Sequence, residues 1–138
     1  MIEANQLRKV FGGFVAVEDV SVSVGAGEVL AVLGPNGAGK TTTVRMMTSI
    51  LVPTSGTCKI AGFNVVTHAA EVRGHVGVLT EQHGLYERMK ALEYLDFFGR
   101  IYRVDRDTLK KEALRLMERF DLIEALDRRI GDYSKGMK

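Results

Sequence analysis

A single cysteine, Cys58, excludes an internal disulfide and any cysteine-based metal cluster in this chain of 138 residues. Its simplest role is that of a small apolar residue in a strand. There is no tryptophan and there are only two prolines; with no low-complexity stretch or internal repeat, nothing marks a flexible linker. No apolar run approaches the length of a membrane span, which excludes a helix crossing a bilayer within this sequence. Residues Ile2, Glu3, Ala4, Asn5 and Gln6 lack the basic start and apolar core of a secretory signal, so the expected location is cytoplasmic. Charge of one sign is also missing. Lys and Arg number 19 against 17 Asp and Glu, and the two signs are intermixed, so no basic stripe points to nucleic acid. With 46% hydrophobic and 26% charged residues, the composition is that of an ordinary globular chain of one domain.

Glycine is not scarce, and its placement is informative. Gly34, Pro35, Asn36, Gly37, Ala38, Gly39, Lys40 and Thr41 read G-x-x-x-x-G-K-T, the phosphate-binding loop called Walker A. A match by chance in a chain of this length is expected roughly once in a few hundred sequences. The flanks suit the motif. Residues 29–33 form a branched apolar run predicted to be a strand buried on both faces, and residues 41–50 carry Val44 and Met47, with Leu51 just beyond, at helical spacing. The glycines let successive N–H groups point inward without an obstructing Cβ, at a helix start whose free N–H groups and dipole favour an anion. Lys40 supplies a point charge for the β- and γ-phosphates, and the Thr41 hydroxyl is a ligand for Mg²⁺. Thr42 joins Gly34 to Thr41 in the expected nucleotide-binding set, with a nucleoside triphosphate and Mg²⁺ as the expected ligands.

Elsewhere, residues 2–10 and 14–24 read as strands joined by a Gly12-Gly13 turn, with a bend or bulge at Glu18 and Asp19. Residues 57–63 read as an exposed edge strand. Residues 67–73 read as a short helix capped by Thr67, and residues 75–79 as a second central strand. Further on, residues 91–102 form an expected helix with Leu92, Leu95, Phe98, Ile101 and Tyr102 on one side. Asp105 is expected to cap a helix over residues 106–120 whose apolar face is Leu109, Ala113, Leu116 and Phe120. Asp107 with Lys111, and Glu124 with Arg128, are spaced as i,i+4 pairs.

Three further stretches carry a family resemblance. Leu7, Arg8, Lys9, Val10, Phe11 and Gly12 resemble the segment before the first hairpin of ABC-type ATPases, where an aromatic stacks on adenine; Phe11 matches it, and a core role at a strand end is the other reading. Tyr133, Ser134, Lys135, Gly136 and Met137 resemble the signature L-S-G-G-Q, with Ser134 and Gly136 matching and the other three positions departing. The stretch from Gly77 through Leu79, Glu81, Gln82 and Gly84 to Tyr86 is similar to the Q-loop. There Glu81 falls at the glutamine's position by spacing, and Gln82 is a possible substitute one residue later. The whole chain thus resembles the ATP-binding subunit of an ABC transporter, leaning to the branch that exports drugs, sodium or polysaccharide.

The resemblance implies an α/β P-loop NTPase core with an N-terminal antiparallel β subdomain and a helical subdomain. Residues 1–83 are assigned to the former with the loop, 84–133 to the latter, and 133–138 to the start of the signature helix. It implies catalytic roles for Lys40 and for Glu81 or Gln82, Mg²⁺ ligation by Thr41 and Glu81, and nucleotide contact by Phe11, Ser134 and Gly136. It also implies a transmembrane permease as partner, met by a surface to which Tyr94, Phe97 and Tyr102 are candidates, and a second cassette in a dimer, with a place on the inner face of the membrane. The family's later Asp-Glu strand and histidine do not occur before Lys138. An incomplete domain that does not turn over ATP alone is therefore expected. Rival readings are an ABC-type ATPase of translation, repair or regulation, a binding fragment without turnover, and a small-molecule kinase.

Overall fold

The computed structural model describes residues 1–80 and 84–138, and the chain forms two compact units, Met1–Val78 and Leu79–Lys138. In the first, β1 (Ile2–Phe11) and β2 (Phe14–Val24) make an antiparallel hairpin. Alternating valines in β2 supply the two-residue period. Gly12 and Gly13 take φ of 50° and 90°, the left-handed pair that a tight hairpin turn needs, and Phe11 faces Phe14 across it. The expected irregularity at Glu18 and Asp19 is present: Leu7 pairs with Val20 but Lys9 with Val17, so β2 carries the extra residue. A second bulge falls at Asn5 and Gln6 on β1, between the Ala4–Val22 and Leu7–Val20 pairs. The Gln6 N–H is turned onto Ser21 Oγ at 2.9 Å.

β3 (Ser55–Ile60) and β4 (Phe63–Asn64) complete a sheet of order β2-β1-β3-β4. β3 is therefore not an edge strand as expected; β1 flanks it on one side, and β4 covers Lys59 and Ile60 on the other. Ala4, Leu7, Val17, Cys58 and Ile60 from the strands meet Met46 and Val72 in one core. Burial pushes the Cys58 thiol up to about 11, as suits a packing residue rather than a reactive one.

Two expected strands are not formed. Residues 29–33 enter no ladder, with Val29 97% and Leu33 89% exposed, and Leu79 is 84% exposed in the second run. A parallel strand exists only through hydrogen bonds to neighbours, and among the described residues nothing pairs with either run. The helix after the loop, α1 (Lys40–Met47), is shorter than expected and buries Thr43 and Met46 rather than Val44, which is 42% exposed. α2 (Ala69–His75) starts after His68 with no side-chain cap. The carboxamide of Asn64, not Thr67, organises its approach, accepting the N–H groups of Val66 and Thr67.

In the second unit, α3 (Ala91–Ile101) and α4 (Arg106–Arg119) form a helical hairpin. Gly99 on α3 allows the close approach: a Cβ there would collide with Leu109 of α4. Ala91, Met117, Ala125 and Tyr133 are the core, with Leu95, Leu122, Leu126 and Met137 packed on it. The expected apolar faces are rotated, since Ile101, Tyr102, Leu116 and Phe120 are exposed. The expected i,i+4 charge pairs are not among the ion pairs of the described residues. Glu112 pairs with Arg115 and Asp96 with Arg100 instead. Arg128 donates to the Asp132 carbonyl at 2.7 Å.

Asp105 caps α4 as expected, its carboxylate accepting the Thr108 N–H and hydroxyl at 3.1 Å each. The Thr108 backbone bond holds its pKa below the ordinary value. A carboxyl depressed in the folded state contributes stability above its unfolded pKa and loses it as pH falls through the folded pKa. Asp105→Asn keeps a capping acceptor but cannot titrate. It is therefore expected to flatten part of the acid limb of a thermal-midpoint-against-pH curve, and an unchanged limb would contradict the assignment.

Candidate nucleotide-binding site

The loop before α1 is shaped by backbone conformations that favour glycine. Gly37 and Gly39 have φ of 84° and 82°, which side chains other than glycine rarely adopt. Gly39 is also the N-cap of α1 and has no side chain with which to close it. The first-turn N–H groups thus lack a capping partner of their own, and the positive end of the helix faces outward from the loop. At Gly39 the loop lies against β2. An added Cβ would stand 2.5 Å from the Ala16 carbonyl oxygen and 2.9 Å from Val17 Cγ2. A further bulge on β2 lies at this seat, where Ala16 is the unpaired residue between the Lys9–Val17 and Val10–Val15 pairs.

Lys40 clamps the loop. Its ammonium donates to the Gly34 and Pro35 carbonyls at 2.7 Å each, tying helix start to loop start and fixing the cation inside the curve. The Pro35 carbonyl also accepts the Ala38 N–H at 3.3 Å, and the Gly39 carbonyl accepts Thr43 N–H at 2.8 Å. Gly34 through Ala38 are exposed, as is Thr41, with Thr42 half-buried. The arrangement is an open cradle with one fixed positive charge, fitted to a polyphosphate. Thr41 offers a hard oxygen at the cradle's mouth. Among the described residues no group of three or more acidic, His or Cys side chains is placed to hold a metal. The exposed Thr41 hydroxyl is an oxygen donor of the hard kind that Mg²⁺ takes. Glu81 and Gln82, the other candidates, lie outside the described residues.

Phe11 ends β1 and is 46% exposed, so the reading as a buried strand-end residue does not hold. Lys9 Nζ stands 5.0 Å from its ring centroid while donating to the Val52 carbonyl at 2.7 Å. That cation over the ring was not anticipated; only the i,i+2 spacing of Lys9 and Phe11 on one strand face could have signalled it.

In the second unit, Ser134 begins a turn, its carbonyl accepting the Met137 and Lys138 N–H groups at 3.1 and 3.2 Å. Tyr133 is buried and donates its hydroxyl to the Ala125 carbonyl at 2.8 Å, with Arg128 over its ring. Burial raises its phenol pKa, against the opposing effect of Arg128. Met137 packs on the same core. Two of the three departures from the signature therefore face inward, while Ser134, Lys135 and Gly136 are exposed. Tyr94 and Phe98 meet as tilted rings 4.6 Å apart in an aromatic cluster with Tyr86 and Phe97, where Phe98 stacks on Tyr86. Tyr102 is 71% exposed and belongs to none of these ring pairs.

Comparison with known proteins agrees with this geometry. The family model described as ABC transporter matches residues 17–138. The ABC transporter ATP-binding protein NatA of Bacillus subtilis is 45% identical over 89% of this chain and 50% of its own length. The doxorubicin resistance ATP-binding protein DrrA of Mycobacterium tuberculosis is 39% identical over 99% of this chain and 42% of its own. The chain thus spans about half the length of these relatives. Among solved structures, the ATP-binding subunit of an ABC transporter superposes with a TM-score of 0.85 at 27% identity, covering 99% of this chain and 57% of that one. A second, an ATP-binding cassette in its ADP conformation, gives 0.80 at 26%, covering 99% and 59%. No helix among the described residues is long and apolar enough to cross a membrane. With its P-loop α/β fold, its antiparallel sheet and its matched motifs, the chain belongs to the ABC transporter ATP-binding family.

Proposed function

We propose that this chain is the nucleotide-binding part of a subunit that hydrolyses ATP to drive an ABC exporter. The observation that carries the reading is the loop itself: left-handed glycines at 37 and 39, a helix start without a cap, and Lys40 fixed inside the curve. The exporter direction is supported by relatives named for doxorubicin, daunorubicin and linearmycin resistance. ATP binds in the cradle, Lys40 neutralises phosphate charge, and Thr41 holds Mg²⁺, which supplies further charge neutralisation when bound. In this reading Glu81 or Gln82 positions the attacking water in the whole subunit. A transmembrane permease docks near the half-exposed Tyr86 and Phe97. A second cassette, of the same chain, completes the site, and the subunit works on the cytoplasmic side of the membrane. Titration of the full-length subunit with a fluorescent ATP analogue tests the core of this: Lys40→Ala is expected to weaken binding by more than tenfold, and unchanged affinity would refute it.

Phe11 is proposed to stack on the adenine ring. Since stacking uses a π face and not base edges, ATP and GTP are expected to bind with similar affinity. Phe11→Ala is expected to cost about 0.5–1.5 kcal/mol of binding. No loss in the same titration would leave the ring without a role in the site.

A further inference from the structure

The segment just after residues 81–83 is fastened to the signature segment by bonds that share no helix or sheet. The Glu87 carbonyl accepts the Gly131 N–H at 2.9 Å and the Met89 carbonyl accepts the Ile130 N–H at 2.9 Å. Lys90 and Arg129 form an antiparallel bridge, and Lys90 Nζ pairs with Asp127 at 3.1 Å. At the far end Lys138 Nζ meets Glu87 Oε1 at 3.0 Å. Glu87 thus holds both sides of the Ser134 turn: its backbone holds Gly131 before it, and its side chain holds Lys138 after it. The fit at the first of these is close, because a Cβ on Gly131 would stand 3.1 Å from the Glu87 carbonyl oxygen and 3.3 Å from Glu87 Cβ. Ser134 and Gly136 are exposed between these two fastenings, and the turn is closed by the Ser134 carbonyl accepting from Met137 and Lys138.

We propose that Glu87 is a positioning residue for the signature turn, acting through Gly131 and Lys138 to hold Ser134 and Gly136 in their phosphate-binding attitude. Any displacement of residues 87–90 is then passed to that turn. This rests on the reading of Ser134 and Gly136 as nucleotide contacts, so the test separates the two. In the full-length subunit, Glu87→Lys is expected to speed amide exchange at Met137 and Lys138, measured on the nucleotide-free monomer. It is also expected to lower kcat for ATP about two- to fivefold, the range an exposed ion pair commands, with KM unchanged. Glu87→Lys combined with Lys138→Glu restores the pair with reversed sign and is expected to recover both. Gly131→Val, which forces the segments apart without touching charge, is expected to lower kcat about tenfold. Faster exchange with unaltered turnover would support the positioning role and sink the nucleotide role of the turn. Unaltered exchange in both single variants, or no recovery in the charge swap, overturns the proposal.

Discussion

Gly39→Ala in the full-length subunit is expected to destabilise the fold by about 2–4 kcal/mol and to weaken ATP binding more than tenfold, whereas Gly37→Ala costs only about 1–2 kcal/mol. The two positions have nearly the same backbone, φ of 82° and 84°, so the strain of placing a Cβ in the left-handed region is common to both. They differ in what the Cβ meets. A Cβ on Gly37 would meet nothing within 4 Å beyond its own chain neighbours, while at Gly39 the Ala16 carbonyl and the Val17 side chain occupy the place. Val17 is itself buried in the core of the sheet and cannot give way freely. Relief has to come from the loop, which lifts Gly39 from β2 and moves the start of α1, and with it Lys40. Thermal midpoints and nucleotide titrations on the two variants decide the matter. Equal losses would mean that conformation alone, and not the seat on β2, governs this site.

The seat also explains why the loop was readable in the sequence when the strand before it was not. Glycines at fixed intervals before a lysine describe a local backbone path, and local paths are encoded by the residues that follow them. The Gly12-Gly13 turn and the Asp105 cap are of the same kind, each settled within four residues. The run at residues 29–33 has the composition of a buried strand, but a strand is completed by neighbours, and no described segment pairs with it. Helix faces were misjudged for a smaller reason. Counting apolar residues placed Ala113 rightly but also favoured Val44, Leu116 and Phe120, while Thr43 and Gly99, whose small or polar side chains carry no periodic signal, are the buried ones. The contacts of Glu87 with Gly131 and Lys138 span 44 and 51 residues, beyond the reach of any local pattern. At the signature, Ser134 and Gly136 match the family pattern, while Tyr133 and Met137 depart from it. The latter two belong to the core, so substitutions there follow packing and leave the exposed pair intact.

If Ser134 and Gly136 contact nucleotide held by a second copy of the subunit, Ser134→Arg is expected to leave monomer binding intact and abolish ATP-driven dimerisation and turnover. Ser134 is exposed and holds its turn through its backbone carbonyl, so an arginine side chain is accommodated in the monomer. In the dimer the same side chain would intrude where a phosphate must approach, and two-fold symmetry places the damage in both sites at once. Lys40→Ala damages the other half of each site. Mixing the two variants separates the trans assignment from a merely structural role for Ser134. A heterodimer of Lys40→Ala with Ser134→Arg carries one site with both halves damaged and one with both intact, so nucleotide trapping is expected to return in the mixture and in neither variant alone. A serine that only shapes its own turn predicts no such recovery, because an intact partner cannot repair a fold. Absence of trapped nucleotide in a mixture of two folded variants would therefore remove Ser134 and Gly136 from the site and leave the phosphate loop to bind on its own.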